Sequence, residues 1–176
     1  MTRLPEDVND CMTIGCVGGD DQPEAPCQGS ESTDYLVMIG LQTIASLALA
    51  LLLGGMVFFA AIVAPNVFTR LPMAQAGPFI RVLFPWYYRY LAVTAGLCAA
   101  ALSLERPVDA GIMAVVTLVT LWLVYGLMPA INRQSDRVQA GDKGAKRGFD
   151  RGHRLSVVVN VLQLVAALVV FVRLQS

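Results

Sequence analysis

The chain has 176 residues, 56% of them hydrophobic and only 15% charged, with 13 basic side chains balancing 13 acidic ones. Ordinary soluble domains carry about 25% charged residues and do not collect their apolar residues into long uncharged blocks. Zero net charge gives no overall field for nucleic acid or an acidic partner, which leaves a membrane-embedded chain as the reading of this composition.

Residues 1–34 hold Glu6, Asp7, Asp10, Asp20, Asp21, Glu24, Glu31 and Asp34 against Arg3 alone. The segment is rich in Gly, Pro, Ser and Thr and too poor in large apolar residues to offset its ordering entropy, so a disordered acidic tail is predicted. It lacks the basic n-region of a secretory signal, and the first helix is expected to stay as a permanent anchor. The tail carries Cys11, Cys16 and Cys27. One disulfide among them is possible in an oxidising compartment, leaving an odd thiol. Cys11-x4-Cys16 lacks the Cys-x2-Cys spacing and His partners of a zinc or redox site, so metal binding there is only weakly supported.

No charged residue occurs from Tyr35 to Ala64. That stretch is about 45 Å of helix, against the roughly 30 Å of a hydrocarbon core. Pro65 is expected to end or kink this first span, approximately 35–64. In the second span, approximately 82–104, Arg81 and Arg89 precede an uncharged run from Tyr90 to Leu104. Snorkelling by Arg89 and an interfacial belt of Trp86, Tyr87, Tyr88 and Tyr90 would extend it to membrane length. The third span covers approximately 110–131, with Pro129 in its last turn, and the fourth approximately 153–173. The fold class predicted is all-α, an integral membrane four-helix bundle over 35–176. Its Ala50-x3-Gly54 and Ala92-x3-Gly96-x3-Ala100 patterns are read as intramolecular packing faces.

Four spans place both termini and the 105–109 turn on one side, and the loops 65–89 and 132–154 on the other. The loops carry Arg70, Arg81, Arg89, Arg133, Arg137, Lys143, Lys146, Arg147, Arg151 and Arg154; the opposite side carries Arg3, Arg106 and Arg173. Positive residues favour the cytoplasm, so the expected location is the cell (inner or plasma) membrane, multi-pass, loops inside and termini outside.

Polar residues inside the spans are the candidates for function. On a helix His153, Ser156, Asn160 and Gln163 fall within an arc of about 80°, one polar stripe on an apolar span. Lipid offers such groups no partner, so the stripe must face the bundle interior. Two roles suit it: interhelical hydrogen bonding, or the wall of a solute pathway shared with Gln42 and Ser46 of the first span. Asn66, Asn132 and Arg133, beside Pro65 and Pro129, lie at the membrane level of His153, as a polar cluster or as helix-terminating groups. His153 is the only histidine and cannot build a His-only metal site or a bis-histidine haem site. No P-loop, dinucleotide fingerprint, nucleophile elbow or zinc-protease motif occurs; no catalytic residue, metal or cofactor is assigned.

Three stretches resemble a family of small four-helix membrane proteins typified by transmembrane protein 205, whose bacterial members carry a domain of unknown function. They are Gly54–Phe68, Ala76-Gly77 with Leu83–Tyr88, and His153-Arg154-Leu155-Ser156 with Asn160. The last is the most specific, and the likeness extends from about residue 38 to the C-terminus. It implies a four-helix fold without a settled activity. Through the link of its eukaryotic namesake to platinum-drug resistance, it implies trafficking of a soft metal species. Within the membrane the soft ligands are Cys98 and scattered Met. Haem-associated membrane proteins of similar layout differ by a histidine on the first helix, absent here.

The leading expectation is a non-enzymatic protein for small-solute or metal transport or tolerance. The alternatives are an accessory subunit of a larger membrane complex, and a haem- or quinone-binding redox protein. Expected partners are the lipid bilayer and other membrane subunits or a second copy, with no nucleic acid.

Overall fold

The computed structural model describes the chain from Gln28 to Ser176; residues 1–27 of the expected tail, with its three cysteines, lie outside the described residues. Residues 28–34, expected to be disordered with them, are instead the start of a helix, because helical hydrogen bonds are internal and polar side chains do not stop them. Four helices account for nearly all of the described residues. Helix α1 runs Gln28–Phe58 and continues through a π-helical turn, Phe59–Val63, into Ala64–Arg70. Helix α2 is Met73–Leu102. Helix α3 runs Pro107–Trp122, passes through a second π-helical turn, Leu123–Leu127, and ends with Met128–Gln139. Helix α4 is Ala145–Gln175.

Three of the four, over Thr33–Val67, Pro107–Gln139 and Ala145–Gln175, are long and apolar enough to cross a membrane. Helix α2, at 30 residues, is only slightly shorter, with Arg81 and Arg89 interrupting its apolar character. It packs between α1 and α3, α3 packs on α4, and α4 returns to α1, so the helices close into a ring. The outward faces are apolar: Leu47, Val57, Val93, Leu118, Leu162 and Leu168 are all half or more exposed. Water would penalise such a surface, and lipid does not. The chain is a membrane four-helix bundle.

Two expectations about the helices need correction. Pro65, expected to end or kink the first span, does not end it, since the helix runs on to Arg70, and the segments 65–89 and 132–154 are not loops. Each proline follows a π-helical turn by two positions, Pro65 after Val63 and Pro129 after Leu127. In both turns the bonding partner shifts by one residue: the Ala64 N–H donates to the Phe59 carbonyl and the Met128 N–H to the Leu123 carbonyl. The wider turn makes room for a ring that has no N–H to give and would clash with the carbonyl four residues back. Charged residues beyond the spans end the hydrocarbon stretch without ending the helix, because helical hydrogen bonds are internal. Only Leu71-Pro72 and residues 140–144 remain as connections at this end of the bundle, the basic end.

The α3–α4 turn is locally encoded. Gly141 adopts φ +93°, a left-handed conformation that favours glycine. The Asp142 N–H reaches the Arg137 carbonyl (3.0 Å) and the Gly141 N–H the Val138 carbonyl (3.1 Å), a Schellman ending. The Asp142 carboxylate then accepts from the Gly144 and Ala145 N–H groups and opens α4.

Small and medium side chains fill the half of the bundle nearer the C-terminus: Ala45, Ala48, Leu49, Ala95, Cys98, Met113 and Ala167 are buried. Small residues let helix backbones approach closely in lipid. Of the two small-residue patterns, Ala92 is buried and Gly96 meets the Thr117 side chain. Ala50 and Gly54 are exposed, so that stripe is not an intramolecular packing face. The aromatic belt is likewise split. Trp86 faces outward with the Arg89 guanidinium over its ring at 5.4 Å, and Tyr90 reaches the Leu51 carbonyl (2.6 Å). Tyr88 is buried and Tyr87 half-buried, because consecutive helical residues point about 100° apart.

Candidate functional site

At the basic end the helices part around a cavity of about 400 Å³. Helix α2 supplies Ala76, Gly77, Ile80, Arg81, Phe84 and Tyr88, one face at three-to-four-residue spacing. Helix α3 supplies Leu123, Leu127, Met128, Ile131, Asn132, Ser135 and Gln139, and α4 supplies Phe149, His153 and Ser156. The wall is mostly apolar with a few polar groups, the usual make-up of a small-molecule site. Four aromatic rings back the α2 side. Phe59, from the first π-helical turn, stacks on Tyr87 at 4.1 Å, and Phe84 stacks on Tyr88 at 5.7 Å.

The polar groups are held by specific contacts. Arg81 Nη2 donates to the Asp136 carboxylate (2.6 Å) and to the Asn132 carbonyl (3.3 Å), tying α2 to α3. His153 lies parallel to Phe149, ring centroids 6.2 Å apart, and its carbonyl accepts from Ser156 Oγ (2.7 Å). One turn further in, Asn160 Nδ2 donates to the Ser156 carbonyl (2.7 Å) and, across the bundle, to the Tyr88 hydroxyl (2.8 Å). Because a carbonyl only accepts, the amide group is fixed with its nitrogen toward Ser156. Asn160 Oδ1 is left buried without a partner.

Gln163 lies deeper and is 5% exposed. Its Nε2 donates to the Val116 carbonyl (3.2 Å) and to Thr120 Oγ1 (2.9 Å), and Thr120 itself donates to the same carbonyl (2.7 Å). Gln163 Oε1 is also buried and unpartnered. Two acceptors without donors, three residues apart on one face of α4, each cost about 1–3 kcal/mol in a packed interior.

Three residues of the α4 stripe therefore face inward, Ser156 on the cavity wall with Asn160 and Gln163 leading inward from it, while His153 borders the cavity but is exposed. Asn132 joins them. Arg133 is exposed and off the wall. Asn66 is exposed and donates to the Ile62 carbonyl of its own helix (2.7 Å), which runs on past it to Arg70, so it neither lines the cavity nor terminates the helix. Gln42 is exposed on α1 and Ser46 half-buried, and neither lines the cavity.

Sequence reasoning passed over Arg81 and Tyr88, counting one as a loop charge and the other as belt. Their spacing of seven, with Phe84 between them, is the helical-face signal that could have found them.

The opposite end is closed by a second polar contact. Asp109, in the first turn of α3, is 2% exposed and forms an ion pair with Arg173 Nε at 2.7 Å. Arg106 Nη1 donates to the Arg173 carbonyl (2.5 Å). The α2–α3 turn is thereby fastened to the end of α4. A carboxylate at a helix N-terminus is further stabilised by the helix dipole.

Among the described residues no three His, Cys, Asp or Glu side chains gather as a metal-ion ligand set. The family model described as "Domain of unknown function (DUF4149)" matches residues 47–139. The chain belongs to this family. The DUF4149 match runs from the middle of α1 to the end of α3, so Arg81, Tyr88 and Asn132 fall inside it and the α4 stripe beyond it. No curated protein and no solved structure matches the chain.

Proposed function

We propose that this DUF4149 protein binds a small amphiphilic solute at its basic end and moves it along the inner face of α4. One observation carries the reading: Asn160, bonded to Tyr88 and Ser156 of a cavity wall enclosing about 400 Å³, and Gln163, one turn deeper, each keep a buried amide oxygen without a partner. A purely structural stripe would be expected to satisfy its own groups. Acceptors without donors suit water that enters along this face with the solute and brings hydrogens. Under this reading the basic end faces the cytoplasm of a cell membrane, in keeping with its excess of Lys and Arg. The likeness of His153–Asn160 to the transmembrane protein 205 family supports the same broad role, solute tolerance. The mostly apolar wall favours an organic solute over a soft metal ion, whose ligands would be thiolate or thioether.

The test combines access and movement. Ser156→Cys, with Cys11, Cys16 and Cys27 changed to Ser, is expected to react with a membrane-impermeant maleimide from the cytoplasmic face only. The Asn160→Ala/Gln163→Ala double variant, folded and at parental levels, is expected to lose the uptake, efflux or resistance phenotype that the parent confers. Unchanged phenotypes in that variant would end the proposal.

A further inference from the structure

The chemistry of the cavity wall narrows the class of solute, an inference that rests on the binding reading above. Among the described residues Arg81 is the one permanently charged side chain on the wall, and no Asp or Glu lines it. Its Nη2 is occupied by Asp136 and the Asn132 carbonyl. Nε and Nη1 have no protein partner among the described residues. Asp136 therefore holds the guanidinium in place while part of its donor set stays free. Guanidinium donors favour carboxylates and phosphates, through charge-assisted hydrogen bonds about twice as strong as neutral ones.

Other donors surround the same space. The Tyr88 hydroxyl accepts from Asn160, which leaves its own hydrogen to give. The Asn132 amide lines the wall, and Arg133, Arg151 and Arg154 are exposed at this end, adding positive potential around the mouth. The rest of the wall is apolar, including Ile80, Phe84, Leu127, Met128 and Ile131. A volume of about 400 Å³ is at the small end of the range for ligand sites, about 300–1,000 Å³.

We infer that the cavity takes an amphiphilic carboxylate, its anionic head on Arg81 and its single apolar body against the α2 and α3 walls. A neutral or cationic analogue of equal length gains the apolar contacts and loses the charge-assisted ones.

The experiment uses the full chain in nanodiscs of zwitterionic lipid, titrated with dodecanoate, 1-dodecanol or dodecylamine, with empty discs as the partition blank. Dodecanoate is expected to bind saturably at one per chain and roughly 10- to 100-fold tighter than the alcohol, the amine binding weakest. Arg81→Gln is expected to collapse the gap between acid and alcohol, and Arg81→Lys to keep part of it. Gly77→Phe provides a variant that leaves the ion pair alone. Gly77 lines the cavity, and a Cβ there would meet nothing within 4 Å, so the ring fills the site and should block every probe. Equal affinities for acid and alcohol, a preference for the amine, or an undiminished gap in Arg81→Gln would each overturn the carboxylate assignment. If Gly77→Phe still blocks binding in those cases, the cavity reading survives the loss of its ligand class. If no probe binds and the Asn160→Ala/Gln163→Ala variant moves solute normally, both fall.

Discussion

Replacing Gln163 by Met should leave the bundle as stable as the parent or more so, although it deletes two buried hydrogen bonds. The bonds lost are those from Nε2 to the Val116 carbonyl and to Thr120 Oγ1. Side-chain hydrogen bonds between membrane helices average about 0.6 kcal/mol, so the loss is about 1 kcal/mol. No new orphan is created, because Thr120 Oγ1 continues to donate to the Val116 carbonyl. Against this, Met removes Oε1, buried and unpartnered, and relieves about 1–3 kcal/mol of unmet acceptor. Met matches the unbranched shape of Gln, so packing strain stays small. The balance lies between about zero and 2 kcal/mol in favour of the variant. Denaturation of the reconstituted protein by increasing SDS fraction in mixed micelles measures it, alongside the movement assay. A variant that is stable and inactive would mean that Gln163 serves function at the expense of stability. A loss of 2 kcal/mol or more would refute the reasoning, since Oε1 would then have a partner in the membrane that stabilises the fold.

Two further perturbations probe the packing and the closed end. Gly152→Ala puts a Cβ 2.7 Å from Ile131 Cγ1. An overpacking cost of about 1–3 kcal/mol is offset by about 1 kcal/mol of helix propensity, for a net loss of about 0–2 kcal/mol. Ile131→Ala in the same chain should cancel that penalty, a coupling visible in a double-mutant cycle and absent if the helices simply separate. At the other end, Arg173→Met should destabilise more than Asp109→Asn. The first strands a carboxylate that is 2% exposed, costing about 3–5 kcal/mol. The second leaves a guanidinium that is 52% exposed and open to water, costing about 1 kcal/mol. Thermal melts in one detergent rank the two, and equal losses would contradict the burial argument.

Much of the fold is written in the composition along the chain. The uncharged run from Tyr35, the 3.6-residue spacing of the α4 stripe and the Gly141-Asp142 turn each express a local rule that needs no tertiary partner. The stripe was legible because lipid gives Ser156, Asn160 and Gln163 nowhere to go but inward. What Pro65 and Pro129 do to their helices was not legible, for the opposite reason. A proline forbids one hydrogen bond, and whether the helix then stops or widens depends on the neighbouring helices that support the wider turn.

What the sequence determined alone is the set of helices, their apolar lipid-facing surfaces and the inward direction of the α4 stripe, all consequences of period and hydrocarbon length. Only the tertiary structure decided which inward groups meet. Tyr88 and Asn160 are 72 positions apart and 2.8 Å from bonding atom to bonding atom; Arg81 and Asp136 are 55 apart and 2.6 Å. Helical period fixes a residue's angle about its own axis. It does not set the height and rotation of one helix against another, and these come from how alanines, aromatics and π-helical turns pack across the ring.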